Sequence, residues 1–179
     1  MRAAFELRAF CRLGNNQMKQ INKVSDLVIA NFTSAKLMVN QSIEINATPE
    51  KIWGVMSDQS IAGEWMPSIK KLESVNTANA EANGVGTERI VVYGSGDKIK
   101  ETVVYAEKNR VLAYRVAFPY MVKDHLSIIE IKANGISSST VCLYAFFTPT
   151  DFTGYLMKYG VYASIVKSSL KKLGVICSK

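Results

Sequence analysis

The longest run of helical periodicity in this chain lies between Thr150 and Gly174. Its apolar residues recur at alternating spacings of four and three positions, which places them on one stripe of a helix with about 3.6 residues per turn. The stripe comprises Phe152, Leu156, Tyr159, Ala163, Val166, Leu170 and Leu173. Glycine is common just past a helix end, so the pattern predicts one long helix that stops at Gly174.

The preceding hundred residues show strand patterns instead. Apolar and polar residues alternate over 38–46, which indicates a half-buried first strand. Thr48, Pro49 and Glu50 then supply a helix cap, a proline for the first turn and an acidic group. This short helix and a second one, ended by Pro67, lead into further strands. We expect these at roughly 69–76, 86–93, 98–106, 110–118, 125–133 and 139–148, separated by turns rich in Gly, Asn and Pro.

The order of elements is therefore a strand, two short helices, six strands and a long helix. Consecutive strands joined by short turns must be antiparallel. The fold class is α+β, and the long helix has one obvious surface on which to bury its stripe, the concave face of the sheet. A curved sheet closed by one helix tends to leave a hollow, and this expected hollow is the main indication of function.

Composition excludes several classes of protein. The chain has 179 residues, 48% of them hydrophobic and 21% charged, as in a globular domain. The net charge is +7, but residues 1–37 hold six basic and two acidic groups, so +4 of the excess lies in that segment. We expect no nucleic-acid partner, because no basic stripe is present. No apolar run is long enough to predict a transmembrane helix.

Residues 1–37 are predicted to be an extension of uncertain order, and residues 38–179 the globular domain. The extension is basic and poor in acids, as in targeting segments. The alternatives are an over-extended start, with Met18 or Met38 as the natural first residue, and a loosely packed helical tail. Cys11, Cys142 and Cys177 are odd in number and far apart, so they predict neither a disulfide framework nor a zinc site. A reducing, cytoplasmic location is expected.

Glu101 is the most informative polar residue. It shares the apolar side of its strand with Ile99, and a carboxylate there is costly unless it is paired or protonated. Arg89 in the preceding strand is the natural partner. If the turn comprises residues 95–97, Val91 opposes Glu101 and Arg89 lies two places along the same face. A turn of two or four residues would put Arg89 on the other face. The pair is either a satisfied ion pair at the sheet rim or a ligand anchor or acid–base group.

His125 is the only histidine, so a histidine-dependent reaction would have to use it. Its strand parity matches Ser127 and Ile129, which predicts a position near one end of the hollow. Neither Ser nor Cys stands in a nucleophile motif, and one His with scattered Asp does not form a metal triad. We therefore expect no metal and no cofactor.

Five local motifs resemble those of START-like proteins, also called SRPBCC or helix-grip proteins. The segment SIEINATPEKIW at 42–53 resembles their first strand and helix, and WMPSI at 65–69 their entry into the second strand. GVGTER at 84–89, IKE at 99–101 and RVLAY at 110–114 are similar to a pattern of the polyketide cyclase/dehydrase and lipid-transport branch.

This resemblance covers residues 39–173 and implies a seven-stranded antiparallel sheet that grips the C-terminal helix around an apolar cavity. It implies no single chemistry, because the fold hosts carriers, receptors, cyclases and hydrolases. The leading hypothesis is binding or carriage of a small apolar or amphipathic molecule. The alternative is a cofactor-free cyclase or dehydratase in which Glu101 or His125 transfers protons and Arg89 steadies an enolate. A third is an interaction module whose cavity is vestigial and whose basic tail binds a partner or a membrane surface.

The candidate catalytic residues are Glu101, His125 and Arg89. The candidate ligand-binding residues, expected on the walls of the hollow, are Trp65, Arg89, Val91, Tyr93, Glu101, Val103, Tyr105, Tyr114, Val116, His125, Phe147, Leu156, Tyr159 and Ala163. The expected partner is a small hydrophobic or amphipathic molecule, and the oligomeric state is left open.

Overall fold

A computed structural model describes residues 23–76 and 83–179 of the chain. Seven strands form one antiparallel sheet in the order β1-β7-β6-β5-β4-β3-β2. The strands are β1 (Leu37–Ile45), β2 (Ile69–Asn76), β3 (Glu88–Tyr93), β4 (Lys98–Glu107), β5 (Val111–Ala117), β6 (Val122–Ala133) and β7 (Ser139–Pro149). The helices are α1 (Lys23–Phe32), α2 (Pro49–Ser57), α3 (Ala62–Trp65), α4 (Phe152–Leu156) and α5 (Tyr162–Cys177).

The predicted α+β class, the seven antiparallel strands and the two short helices between β1 and β2 are confirmed. The start of α2 follows the sequence signal, since the Thr48 side chain accepts a hydrogen bond from the Lys51 backbone N–H at 3.4 Å. Pro49 occupies the first turn, where its missing N–H is no loss. In the described parts of the chain, no helix is long and apolar enough to cross a membrane.

The central strands are buried on both faces, which is why β6 and β7 contain long apolar runs rather than simple alternation. Alternate residues of these strands, among them Ile129 and Phe147, pack on the inner side with Leu170 and Leu173 of α5. The intervening residues, such as Ile128 and Tyr144, face the outer side. Each strand therefore contributes to two apolar clusters.

Helix α1 covers the outer side of the sheet. Val28 and Ile29 are buried there against the outer cluster. Just after the helix, the Thr33 hydroxyl donates to the Asp124 carbonyl at 3.0 Å, and the Ser34 N–H donates to the Asp124 carboxylate at 2.9 Å. Residues 1–22 of the predicted extension lie outside the described residues. The division into residues 1–37 and 38–179 remains a prediction, but part of the extension packs against the sheet.

The C-terminal helix is not the single straight helix that the apolar stripe predicted. Between α4 and α5 the chain passes through residues 157–161, where Tyr159 departs from helical geometry and Gly160 has φ of +124°. Glycine tolerates this conformation because it lacks a Cβ. The stripe is interrupted at this bend, so Phe152, Leu156 and Tyr159 are 78%, 46% and 75% exposed. Beyond it, the stripe is buried as expected from Val166 onward.

The predicted end at Gly174 is also wrong, because α5 continues to Cys177. A Cβ at Gly174 would meet the Ile43 side chain at 3.6 Å, which is ordinary van der Waals contact. Ser178 caps the helix instead, with its backbone N–H directed to the Gly174 carbonyl at 3.1 Å. Gly174 does not adopt the left-handed conformation that ends many helices, so α5 continues through it and stays packed on β1.

Asp151 joins α4 to the loop between β5 and β6. One carboxylate oxygen accepts from the Gly154 N–H at 2.8 Å, and the other accepts from the Met121 N–H at 3.1 Å. The Met121 carbonyl in turn accepts from the Thr150 N–H at 2.8 Å. A Cβ on Gly154 would lie 1.9 Å from that carbonyl oxygen, so only glycine fits this close approach.

Replacing Gly154 by Ala should lower the free energy of unfolding by about 1–3 kcal/mol, since backbone must move to relieve the overlap. The matched Gly174→Ala should raise it by about 0.5–1 kcal/mol through helix propensity. Urea unfolding followed by circular dichroism measures both changes. Equal effects of the two substitutions would contradict the close contact at Gly154.

Candidate functional site

Arg89 and Glu101 lie directly opposite each other on β3 and β4. Arg89 Nη2 donates to Glu101 Oε2 at 2.8 Å, and the two residues are only 4% and 7% exposed. The expectation that Val91 opposes Glu101 is wrong, because the Tyr93 N–H bonds to the Asp97 carbonyl and the loop comprises residues 94–96. Because the loop still has three residues, the Arg89 and Glu101 side chains lie on the same face of the hairpin, as the three-residue alternative predicted.

The guanidinium of Arg89 has further partners. Its Nη1 donates to Asn83 Oδ1 at 3.1 Å, and Asn83 Nδ2 donates to Ser57 Oγ at 2.8 Å. The group also lies over the ring of Tyr114, 5.1 Å from the ring centroid, which is a cation–π contact. Its Nε has no hydrogen-bond partner among the described residues.

Burial and the Glu101 charge determine the protonation of this region. Burial raises the pKa of Glu101, and the neighbouring Arg89 charge opposes that rise. Burial also raises the pKa of Tyr93 and of Tyr114, and the Glu101 carboxylate adds to both shifts. Both tyrosines are therefore neutral hydroxyl groups at physiological pH.

His125 lies on the same side of the sheet in an aromatic environment. Phe118 meets its ring edge-on at 5.3 Å between centroids, and Phe147 stacks on it at 6.1 Å. The Tyr162 hydroxyl is 3.4 Å from His125 Nε2. Burial lowers the pKa of His125 to about 3, so the ring is neutral at physiological pH. Within the described residues, Nδ1 has no hydrogen-bond partner.

Ser127 lies between the polar groups around Arg89 and those around His125. It faces Tyr114 in the register of β5 and β6 and follows His125 by two residues on β6. Burial raises the pKa of Tyr162 to about 12, and the nearby Ser127 hydroxyl counteracts part of that rise. Ser127 is fully buried, and its hydroxyl lies close enough to the Tyr114 and Tyr162 hydroxyls to lower the pKa of both. Arg89, Tyr114, Ser127, Tyr162 and His125 thus form one continuous polar strip.

Sequence reasoning missed two members of this strip. Ser127 was noted only for its parity with His125, although an inward hydroxyl in an otherwise apolar strand was itself a signal. Tyr162 was missed because the apolar stripe includes Tyr159, which lies in the bend, and therefore predicted Tyr159 as the inward tyrosine. Tyr162 packs on the inner cluster, whereas Tyr159 points outward.

Most predicted wall residues lie on the side of the sheet covered by α3 and α5. These are Trp65, Arg89, Val91, Tyr93, Glu101, Val103, Tyr114, Val116, His125, Phe147 and Ala163. Tyr105 does not, because a bulge between Val103 and Tyr105 reverses the alternation and places it with the outer cluster. Leu156 and Tyr159 are also not wall residues, since they precede or lie at the bend and are largely exposed.

The ligand-sized hollow expected between sheet and helix is absent from the described structure, because side chains fill this space. Trp65 and Phe147 belong to the inner cluster, and Tyr162 and Met157 pack against it. The gap beside His125 measures about 10 Å³, which is the room that one water molecule needs. It is lined by Phe118, Met121, Val122, His125, Phe147, Met157 and Tyr162.

No group of three or more His, Cys, Asp and Glu side chains with metal-binding geometry occurs within 23–76 and 83–179. The polar strip and the adjoining Glu101 offer hydroxyl, imidazole, guanidinium and carboxylate groups instead. Such groups can hold an organic molecule by hydrogen bonds, or move a proton through Glu101 or His125.

The chain belongs to the polyketide cyclase/dehydrase and lipid transport family, whose model matches residues 36–174. A search of curated proteins found no match to this chain. Among solved structures, the protein XoxI from Bacillus cereus is 25% identical, with a TM-score of 0.62 over 78% of this chain and 94% of its own.

Two further solved structures are similar in fold. A START superfamily protein from Mycobacterium smegmatis is 16% identical, with a TM-score of 0.66 over 79% of this chain and 97% of its own. Norcoclaurine synthase from Thalictrum flavum is 15% identical, with a TM-score of 0.62 over 81% of this chain and 95% of its own. The predicted START-like fold is confirmed, and at these identities the likeness concerns the fold alone.

Acidification should destabilise the protein through His125. An unfolded histidine binds a proton near pH 6.5, whereas the buried one binds it near pH 3, so stability falls as pH drops between these values. At pH 5 the loss amounts to about 2 kcal/mol. Burial of Glu101 acts in the opposite direction, since its raised pKa favours the folded state in acid.

The His125→Gln variant isolates the histidine contribution, because the sequence has no other histidine. Urea unfolding at pH 7.5 and pH 5 should show a smaller acid-induced loss for the variant than for the unaltered protein. An identical loss in both proteins would contradict a neutral, buried His125.

Proposed function

We propose that this protein binds a small apolar or amphipathic molecule between the sheet and α5. The observation that supports this most directly is a set of buried polar atoms without partners among the described residues. These atoms are Trp65 Nε1, Arg89 Nε and His125 Nδ1. Leaving such a group unpaired costs about 1–3 kcal/mol, and a ligand that accepts a hydrogen bond from it removes that cost for each group it pairs.

The surroundings of these atoms are those of a binding site. Phe118, Phe147, Tyr114 and Tyr162 supply apolar walls, and the polar strip supplies a few directed groups. Ligand sites in proteins typically combine these two features. The chain belongs to a family of polyketide cyclases, dehydrases and lipid-transport proteins, which favours an interior that binds a ligand over one that is purely structural.

A ligand can enter only if the filled interior opens. The segment 157–161 is where we expect this opening to occur. It joins two helices without regular helical geometry, and Met157 lines the gap beside His125. Irregular turns of this kind within helices are frequent at functional sites. Movement of the segment about Gly160 would shift Met157 and Tyr162 and extend the gap towards Ser127.

The neutral fluorescent dye N-phenyl-1-naphthylamine tests this proposal, since its emission rises in an apolar site. The Ala163→Phe variant places a ring towards the inner cluster and should weaken dye binding at least about tenfold, because it fills the site. The matched Ser164→Phe variant places the ring on the exposed side of α5 and should bind like the unaltered protein.

Absence of dye binding to the unaltered protein would overturn the proposed function. Equal binding by both phenylalanine variants would do the same, because it would place the dye outside the interior. Circular dichroism and thermal unfolding of each variant establish that the fold is retained before the titrations are compared.

A cofactor-free proton-transfer reaction is the second candidate, and the raised pKa of the buried Glu101 favours it. In this reading Glu101 or His125 moves the proton and Arg89 stabilises an enolate oxygen. Exchange of the α-protons of 2-tetralone with deuterium, followed by NMR, detects such chemistry without knowledge of the substrate. Protein-dependent exchange that is lost in Glu101→Gln supports the enzyme, and exchange at the buffer rate contradicts it.

A cytoplasmic location is part of the proposal. Cys142 and Cys177 are free thiols in the structure, which agrees with the reducing compartment expected from the sequence.

A further inference from the structure

We propose that the ligand is an uncharged molecule that accepts hydrogen bonds through carbonyl or similar oxygens, rather than a carboxylate or a phosphate. This inference rests on the proposed function, since it assigns the chemical class of the molecule bound at the same site. It follows from the charges, the donor groups and the arrangement of the polar strip.

The first argument is the charge of the site. On the inner side of the described structure, Arg89 and Glu101 are the buried ionic groups, and they neutralise each other. Both Nη atoms of Arg89 are already used, one by Glu101 and one by Asn83. An anionic ligand would have to break that pair or add an uncompensated buried charge, and both are strongly unfavourable.

The second argument is the polarity of the unpaired atoms. Trp65 Nε1 and Arg89 Nε carry hydrogens and can only donate. When the Tyr162 hydroxyl donates to His125 Nε2, the neutral ring carries its proton on Nδ1, which then also donates. The buried Ser127 hydroxyl, which lies beside the Tyr114 and Tyr162 hydroxyls, can also donate to a ligand. Because these groups are hydrogen-bond donors, the ligand that pairs them must carry acceptor atoms such as carbonyl oxygens.

The third argument is the geometry of the strip. Ser127 lies opposite Tyr114 on adjacent strands, and the Arg89 guanidinium lies over the Tyr114 ring. At the other end, Tyr162 contacts His125 and also lies near Ser127. The polar groups from Arg89 to His125 are therefore successive neighbours that lie beside the rings of Tyr114 and Tyr162, which suits an aromatic molecule that carries acceptor oxygens.

Three probes with the same ring system separate the classes. Naphthalene has no oxygen, 1-acetylnaphthalene has a neutral acceptor, and 1-naphthoate has a charged one. Competition with N-phenyl-1-naphthylamine should rank 1-acetylnaphthalene about fivefold or more above naphthalene, as one additional hydrogen bond of about 1 kcal/mol predicts. The ranking should place 1-naphthoate below naphthalene.

The Ser127→Ala variant removes one donor with little change in volume. It should weaken 1-acetylnaphthalene about fivefold and leave naphthalene unchanged. Ser139→Ala is the matched control, because it removes a buried hydroxyl that bonds to the Ala47 carbonyl at 2.8 Å instead of facing the strip. It should alter neither affinity.

The two proposals fail in different ways. If the dye does not bind the unaltered protein, the proposed function is wrong. If the dye binds but 1-naphthoate equals or exceeds 1-acetylnaphthalene, the ligand class is wrong and the function stands. Equal affinities for naphthalene and 1-acetylnaphthalene overturn the ligand class too, since ordered water would then satisfy the donors. The probe series decides the matter even if Ser127→Ala is unstable.

Discussion

Arg89 and Glu101 face each other across two adjacent strands, and neither group has appreciable access to water. Removal of either partner would leave a buried charge, which typically costs about 3–5 kcal/mol. A slip of the β3–β4 pairing by one residue would carry one of the two side chains to the outer face. The pair therefore selects the register of this hairpin, and it keeps the inner side polar at one end without giving it a net charge.

The bend at Gly160 also shapes the interior. It separates an exposed apolar segment from the buried part of α5 and places Tyr162 beside His125. A straight helix would have continued the stripe through Tyr159 instead. The same bend leaves Met157 at the edge of the one-water gap. The closed interior and the route by which it could open thus depend on the same few residues.

The fold by itself does not decide between carrier and enzyme, because related sheets support many chemistries. The distinguishing features here are local ones. His125 is held neutral by burial, and the ionic pair is internally compensated. Such an interior favours recognition of polar, uncharged groups. Helix α1 adds a second apolar layer on the outer side, which makes β6 and β7 central to two cores.

The sequence by itself determined the strands, their antiparallel arrangement and the inward faces of Glu101, Tyr114 and His125, because strand alternation and turn chemistry act over a few residues. It left open whether Arg89 shares the face of Glu101, and the pairing of β3 with β4 decided that it does. The three-residue turn was predicted one position too late, at 95–97 instead of 94–96, but its length was right and so the faces of the side chains did not change. Only the tertiary structure decided that Tyr105 faces outward, since a bulge depends on how the neighbouring strand pairs. It also decided the bend at Gly160 and the filled interior, because both arise from packing between residues far apart in sequence.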